Sequence, residues 1–183
     1  MINFLNISLF YIFILVTSII ITGYGKSFCK YFNINCSSLS LEIIFGCFFL
    51  GSLGLVINFF FPINLIIGNV ILIFGVFLFI YDFKDIKKEI KYLIIITLIA
   101  FITGIYETSN RPDAGLYHLP YISNLNENKI ILGLNNLHSR YGFTSFLQYI
   151  SSVFNNSLFL EKAIFFPNLI LYASSLIYFF RLA

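Results

Sequence analysis

The chain has 183 residues, 59% of them hydrophobic and only 10% charged, with a formal net charge of +3. A soluble domain carries roughly a quarter charged residues, so the composition excludes that class and points to an all-α, polytopic transmembrane helical bundle. The basic residues lie mostly in short loops between apolar runs, where they set orientation, and carry no nucleic-acid signal.

Crossing a bilayer takes about 20 apolar residues per helix. The first such run is about Ile2 to Tyr24, too long and with the wrong flanks for a cleavable signal. A connector with Lys26 and Lys30 follows, Gly25 to Ser40. The second span is about Leu41 to Phe61, stopped by Pro62, which cannot continue a helix without losing a hydrogen bond. Phe61-Pro62-Ile63-Asn64 is then an uncharged turn, and the third span runs from about Leu65 to Phe83. The basic run KDIKKEIK (Lys84 to Lys91) precedes a fourth span, about Tyr92 to Tyr106. Cys29, Cys36 and Cys47 are odd in number and match no common zinc spacing. They read as thiols, since an oxidised pair would need an oxidising compartment.

Lysines collect in short cytoplasmic loops. The four lysines of Lys84–Lys91 place that loop inside, which puts the Phe61–Asn64 turn outside and the Lys26/Lys30 connector inside. The N-terminus and the segment after the fourth span are then outside. That segment, Glu107 to Tyr141, is a polar island holding both histidines, two of the three arginines and Asp113. After it, Phe143, Phe146, Leu147, Ile150, Val153 and Phe154 recur at helical spacing between polar residues. This pattern suits an amphipathic helix lying in the headgroup layer. A last span, Ala163 to Phe180, ends at Arg181. The count is about five spans, with six if 142–160 also crosses. The chain divides into a four-span N-terminal bundle (1–106), an outer-face loop (107–162) and a further span (163–183). Five helices make a thin bundle for a membrane enzyme, so a fragment of a longer protein is expected.

Within the island, Asn110-Arg111-Pro112-Asp113 reads as a helix start, with Asn110 or Asp113 as cap and proline tolerated in the first turn. From there Asp113, Tyr117 and Tyr121 share one face at i, i+4, i+8, with His118 about 100° away. Pro120 should kink or end this helix. The bland role for Asp113 is the cap itself; the chemical role is a general base or a metal-binding carboxylate. His118 and His138 are more often structural than ligating, and no HExxH-like spacing supports a metal site. Arg111 and Arg140 can meet phosphate through the guanidinium fork.

The stretch RPDAGLYHLPYISNLNENKIILGLNNLHSRYGFTSFLQYISSVF resembles the first large outer loop of GT-C-type membrane glycosyltransferases. The shared shape is an Asp, a Tyr-His-Leu-Pro helix, a polar linker, a Gly-Leu-x-Asn-Leu-His segment and an amphipathic helix. The resemblance implies an inverting transferase of the bacterial plasma membrane, taking sugar from a polyprenyl-phosphate donor on the outer face. Asp113 would be base or metal ligand, with Tyr117 and His118 beside it; His138 and Arg140, with Arg111, would approach the donor phosphate. No Asp-x-Asp pair is present, which leaves dependence on a divalent cation open, and three extra spans precede the acid. Partners would be membrane lipids and the lipid-linked donor. Alternatives are an O-antigen polymerase or ligase-like protein, whose sites are arginine-led, and a non-catalytic scaffold. A transporter would carry charge within its spans, and here the span centres hold only neutral polar groups such as Asn58 and Asn69.

Overall fold

A computed structural model describes residues 4–82, 86–106, 114–137, 139–142, 145–155 and 164–182. The described residues form seven α-helices and no strand: α1 (Phe4–Tyr31), α2 (Leu39–Phe60), α3 (Leu65–Tyr81), α4 (Ile86–Tyr106), α5 (Leu119–Glu127), α6 (Phe146–Phe154) and α7 (Phe166–Leu182). α1 and α2 are long and apolar enough to cross a membrane, whereas α3 and the Ile90–Ile105 part of α4 are shorter apolar helices.

The helix boundaries follow the apolar runs but overshoot them where lysine can extend its charge past the helix end. α1 continues two turns beyond Tyr24, because Lys26 and Lys30 lay their stems against α3. Their ammonium groups sit 5.7 Å above the Phe79 ring and 5.3 Å above the Tyr81 ring, a favourable charge–quadrupole placement. Lys30 also pairs with Asp82 at 2.6 Å. α2 opens on Ser38, whose hydroxyl accepts from the Leu41 N–H, and α3 on Asn64, whose side chain accepts from the Ile67 N–H. Each satisfies one of the N–H groups a helix start leaves unpaired.

α1 is the centre of the packing, against α2, α3, α4 and α7. The α1–α2 crossing is close because both helices place glycine there. A methyl at Gly25 would overlap the Glu42 carbonyl, and one at Gly46 the Ile21 carbonyl. Small residues at helix crossings let backbones approach and gain van der Waals contact. Tyr24, buried, donates its hydroxyl across to the Ile71 carbonyl at 2.7 Å and ties α1 to α3. The outward faces remain apolar: Ile66, Val70, Ile73, Phe77 and Ile80 on α3 and Ile94, Leu98 and Ile102 on α4 are all exposed.

The bundle has two ends of different character. At one end lie Lys26, Lys30, Asp82 and Arg181, the last stacked 4.1 Å over the Tyr92 ring. At the other lie the Phe61–Asn64 turn and the C-terminal end of α5, joined where the Ile63 N–H donates to the Leu125 carbonyl.

Three expectations need correction. Cys29 and Cys36, expected as thiols, are joined in the structure by a disulfide, with Cα atoms 6.3 Å apart. The chain folds back because Asn33 takes a left-handed conformation (φ 53°) and the Ile34 N–H returns to the Cys29 carbonyl; asparagine tolerates that region better than most residues. Cys47 alone is a free, buried thiol among the described residues. Pro120 does not stop the helical run but sits in the first turn of α5, where the pitch changes from the π-turn that ends at His118. Finally, the apolar face of α6 does not lie outward as in a headgroup layer. It is buried against α2, α3, α5 and α7, and Tyr149 to Phe154 are all buried.

Candidate functional site

α5 and α6 lie side by side and run in the same direction. His118, just before α5, meets Gln148 in the first turn of α6, while Asn126 at the far end of α5 meets Ser152 and Asn155. α6 rests on α2 through glycines. A Cβ at Gly51 would come within 2.9 Å of the Phe146 carbonyl, one at Gly54 within 3.2 Å of the Tyr149 Cβ, and one at Gly68 of α3 within 3.1 Å of the Val153 carbonyl. Gly51 is nine residues short of Phe60, about 13 Å at 1.5 Å per residue. α5 and α6 therefore start roughly halfway along α2 and rise to the Phe61–Asn64 end.

Three asparagines hold this pair in place. Asn58, fully buried in α2, directs its amide nitrogen to the Leu125, Asn128 and Phe61 carbonyls at 3.3, 3.0 and 3.4 Å. It satisfies the carbonyls that the end of α5 leaves open. The Asn58 backbone carbonyl accepts from the Ile130 N–H at 2.9 Å. Asn126 donates to the Ile63 and Ser152 carbonyls at 2.6 and 2.9 Å, and Asn155 donates to the Asn126 oxygen at 2.8 Å. Sequence reasoning placed none of the three in a site. The available signal was Asn58 itself, a strong hydrogen-bonding group in an apolar helix, where it must find a partner.

At the deep ends of α5 and α6 the chain changes pitch. Ala114–His118 form a single π-helical turn before Leu119, a widening that often marks functional positions because it redirects side chains. It sets the Tyr117 and His118 rings together, centroids 4.3 Å apart and tilted by 49°.

The tautomer of His118 follows from its neighbour. Ser145 and Gln148 make a reciprocal capping box: the Gln148 Oε1 accepts from the Ser145 N–H at 3.0 Å. That orientation leaves the Gln148 amide to donate, and its Nε2 lies 3.3 Å from His118 Nδ1. Nδ1 therefore accepts and the imidazole proton sits on Nε2. The exposed ring offers an N–H donor to the space beside α6. Deeper in, Tyr121 is buried and bonded to Tyr149, and burial with that bond raises its phenol pKa. The Tyr141 ring lies 6.0 Å from that of Tyr121.

Of the residues expected in a site, the structure brings Tyr117 and His118 together and adds Gln148, Tyr121 and Tyr149. Arg140 falls in a short 3-10 turn, Ser139–Gly142. Asp113, Arg111 and His138 lie outside the described residues. Among the described residues no three His, Cys, Asp or Glu side chains gather as a metal site would require.

The chain belongs to the family described as "Domain of unknown function (DUF8201)", whose model matches residues 5–183. No curated protein and no solved structure matches it.

Proposed function

We propose that this chain is the membrane-embedded part of a sugar transferase that draws on a polyprenyl-phosphate donor, with five spans in a bacterial plasma membrane. The carrying observation is the placement of the π-turn: it holds the Tyr117–His118 pair halfway along an apolar bundle whose outer faces suit lipid. An N–H donor on His118 Nε2 suits a phosphate oxygen of a donor anchored by an isoprenoid tail. Asp113, immediately before the π-turn in the chain, takes the role of base or metal-binding carboxylate. Arg111, His138 and Arg140 take the phosphate side.

Orientation is part of the reading. Lys26, Lys30, the start of α4 and Arg181 fall at one end, and the charge rule applied to these and to the Lys84–Lys91 sequence places that end in the cytoplasm; the island then faces outward. The Cys29–Cys36 bridge argues the other way, since standing disulfides belong to oxidising compartments. The charge argument prevails because it rests on three separate segments, and a cytoplasmic disulfide can exist as a transient state.

The test uses membranes containing the protein and a radiolabelled sugar on a polyprenyl phosphate. Asp113→Asn abolishes transfer, although asparagine caps a helix as well as aspartate does; full activity in this variant would assign Asp113 to capping. His118→Ala slows transfer by about 100-fold, as loss of a positioned proton donor does.

A further inference from the structure

We propose that Cys29 and Cys36 form a reversible disulfide that fixes one wall of a charged cleft at the basic end of the bundle. The proposal rests on the orientation given above, which places this end in the cytoplasm. There, glutathione and thioredoxin keep thiols reduced, and bridges that do form are transient or sensory.

The cleft has a volume of about 340 Å³, and its lining includes Lys26, Cys29, Lys30, Cys36, Glu42 and Asp82. The loop after α1 forms one wall. Its backbone bonds are all local: Asn33 N–H to the Lys30 carbonyl, Ile34 N–H to that of Cys29 and Cys36 N–H to that of Ile34. The bridge is thus the covalent tie that holds this wall to α1. Tyr31 and Phe32 beside it are exposed. By contrast, the α1–α2 crossing at Gly25 and Gly46 is close-packed without help from the bridge. Reduction frees the wall and leaves the helices in place.

Charge around the pair is mixed. Lys26 and Lys30 precede and follow Cys29 on α1, Glu42 and Asp82 oppose their charge, and Lys30 is partly engaged by Asp82. In the closing reaction a low-molecular-weight disulfide RSSR is the oxidant. The Cys36 thiolate attacks one of its sulfurs and releases RS⁻, leaving a mixed disulfide. The Cys29 thiolate then displaces the second RS⁻. The sum is two protein thiols plus RSSR giving one protein disulfide plus two RSH, with both thiol protons carried off on RSH. In the bridged form the Cα atoms are 6.3 Å apart, within the range a disulfide spans.

The experiment uses cells expressing the protein and inside-out membrane vesicles in buffers of varied reduced-to-oxidised glutathione. Thiols are trapped by acid quench and counted by differential alkylation and mass spectrometry, with buried Cys47 as internal reference. Tryptic cleavage after Lys30 reports the state of the wall. The expected result is a dithiol in growing cells that oxidises and re-reduces across the glutathione series. Cleavage after Lys30 should be on the order of tenfold slower in the bridged form, given the constraint that a short closed loop imposes. A pair that stays reduced at every ratio overturns the proposal and leaves the orientation standing; a bridge that no ratio opens overturns the proposal and counts against the orientation as well. Cycling without any change in Lys30 cleavage overturns the fixing of the wall by the bridge. A bridge present in growing cells and opened in intact cells by a membrane-impermeant phosphine places this end outside, and overturns the orientation and the proposal together.

Discussion

Replacing Asn58 by leucine removes the group that fastens α5 to α2 while keeping side-chain volume nearly unchanged. The Asn58 amide has two hydrogens and serves carbonyls at 3.0, 3.3 and 3.4 Å, so at most two good bonds are lost. Each buried pairing that is broken with its acceptor left behind costs about 1–2 kcal/mol. Side-chain bonds between apolar helices in lipid average nearer 0.6 kcal/mol. Against this, the Asn58 Oδ1 has no partner among the described residues, and its removal returns about 1 kcal/mol of desolvation cost. The net weakening is about 2 kcal/mol. It falls on the joint between α5 and the 58–64 segment, because the α1–α2 crossing at Gly25 and Gly46 lies elsewhere on α2.

The assay is limited proteolysis of the purified protein in detergent. Lys129 is exposed and follows Asn128, one of the residues Asn58 holds. When opening is fast relative to cleavage, the rate tracks the open population. A 2 kcal/mol loss therefore raises cleavage after Lys129 roughly 30-fold. Asn69→Leu is the control. The Asn69 Oδ1 also has no partner among the described residues, so this change leaves the Lys129 rate within about twofold. Equal acceleration by both variants, or none by Asn58→Leu, would refute the clamp and leave Asn58 as an incidental polar residue of α2.

Gly46→Ala forces a methyl group onto the Ile21 carbonyl, which is backbone and cannot swing aside. A loss of about 3 kcal/mol, at the upper end for overpacking, should appear as a lowered midpoint of thermal unfolding in detergent. Gly104→Ala meets only the Leu169 side chain and the edge of the Phe10 ring and should cost clearly less. Tyr121 supplies a pH prediction. Burial and the bond with Tyr149 hold its proton more firmly folded than unfolded. Above the ordinary phenol value of 10.0 the unfolded chain binds fewer protons, so stability falls as pH rises. Denaturation followed from pH 9 upward should show this slope, and Tyr121→Phe should flatten it. Leu132, 86% exposed in the island, converted to cysteine, should react with a membrane-impermeant maleimide in intact cells. Labelling only after the membrane is breached would reverse the topology.

The helices of the bundle were legible where an apolar run decides the outcome by itself. Both ends of α2 and the start of α3 fall within two residues of the expected positions, because Ser38, Pro62 and Asn64 act locally as caps and stops. The basic end was less legible. Lysine reads as loop in a hydropathy profile, yet Lys26 and Lys30 extend α1 by seven residues because aromatic rings on α3 receive them. The disulfide was hidden for the same reason, since the return of the chain to Cys29 depends on where α1 actually stops.

In the site, periodicity marked Ile150, Val153 and Phe154, which are buried, but missed Tyr149, included the exposed Phe146, and could not say what covers the helix. Phe146, Tyr149, Ile150 and Val153 are as suited to acyl chains as to a protein groove, and a helical wheel is the same in both cases. What decided the matter lies far away in sequence, in Gly51, Gly54 and Gly68, which clear a groove on α2 and α3 of the width a helix backbone needs. The asparagines are the converse case. Asn58 looked like a neutral interruption of a span, but a buried amide surrounded by hydrocarbon has a strong drive to pair, and the open carbonyls at the end of a short helix are the partners it lacked. A groove of glycines on one helix and an isolated asparagine a turn beyond it are together the mark of a second, short helix docked alongside. In this chain that mark, Gly51, Gly54 and then Asn58, was written inside an apolar run, where composition alone reads only lipid.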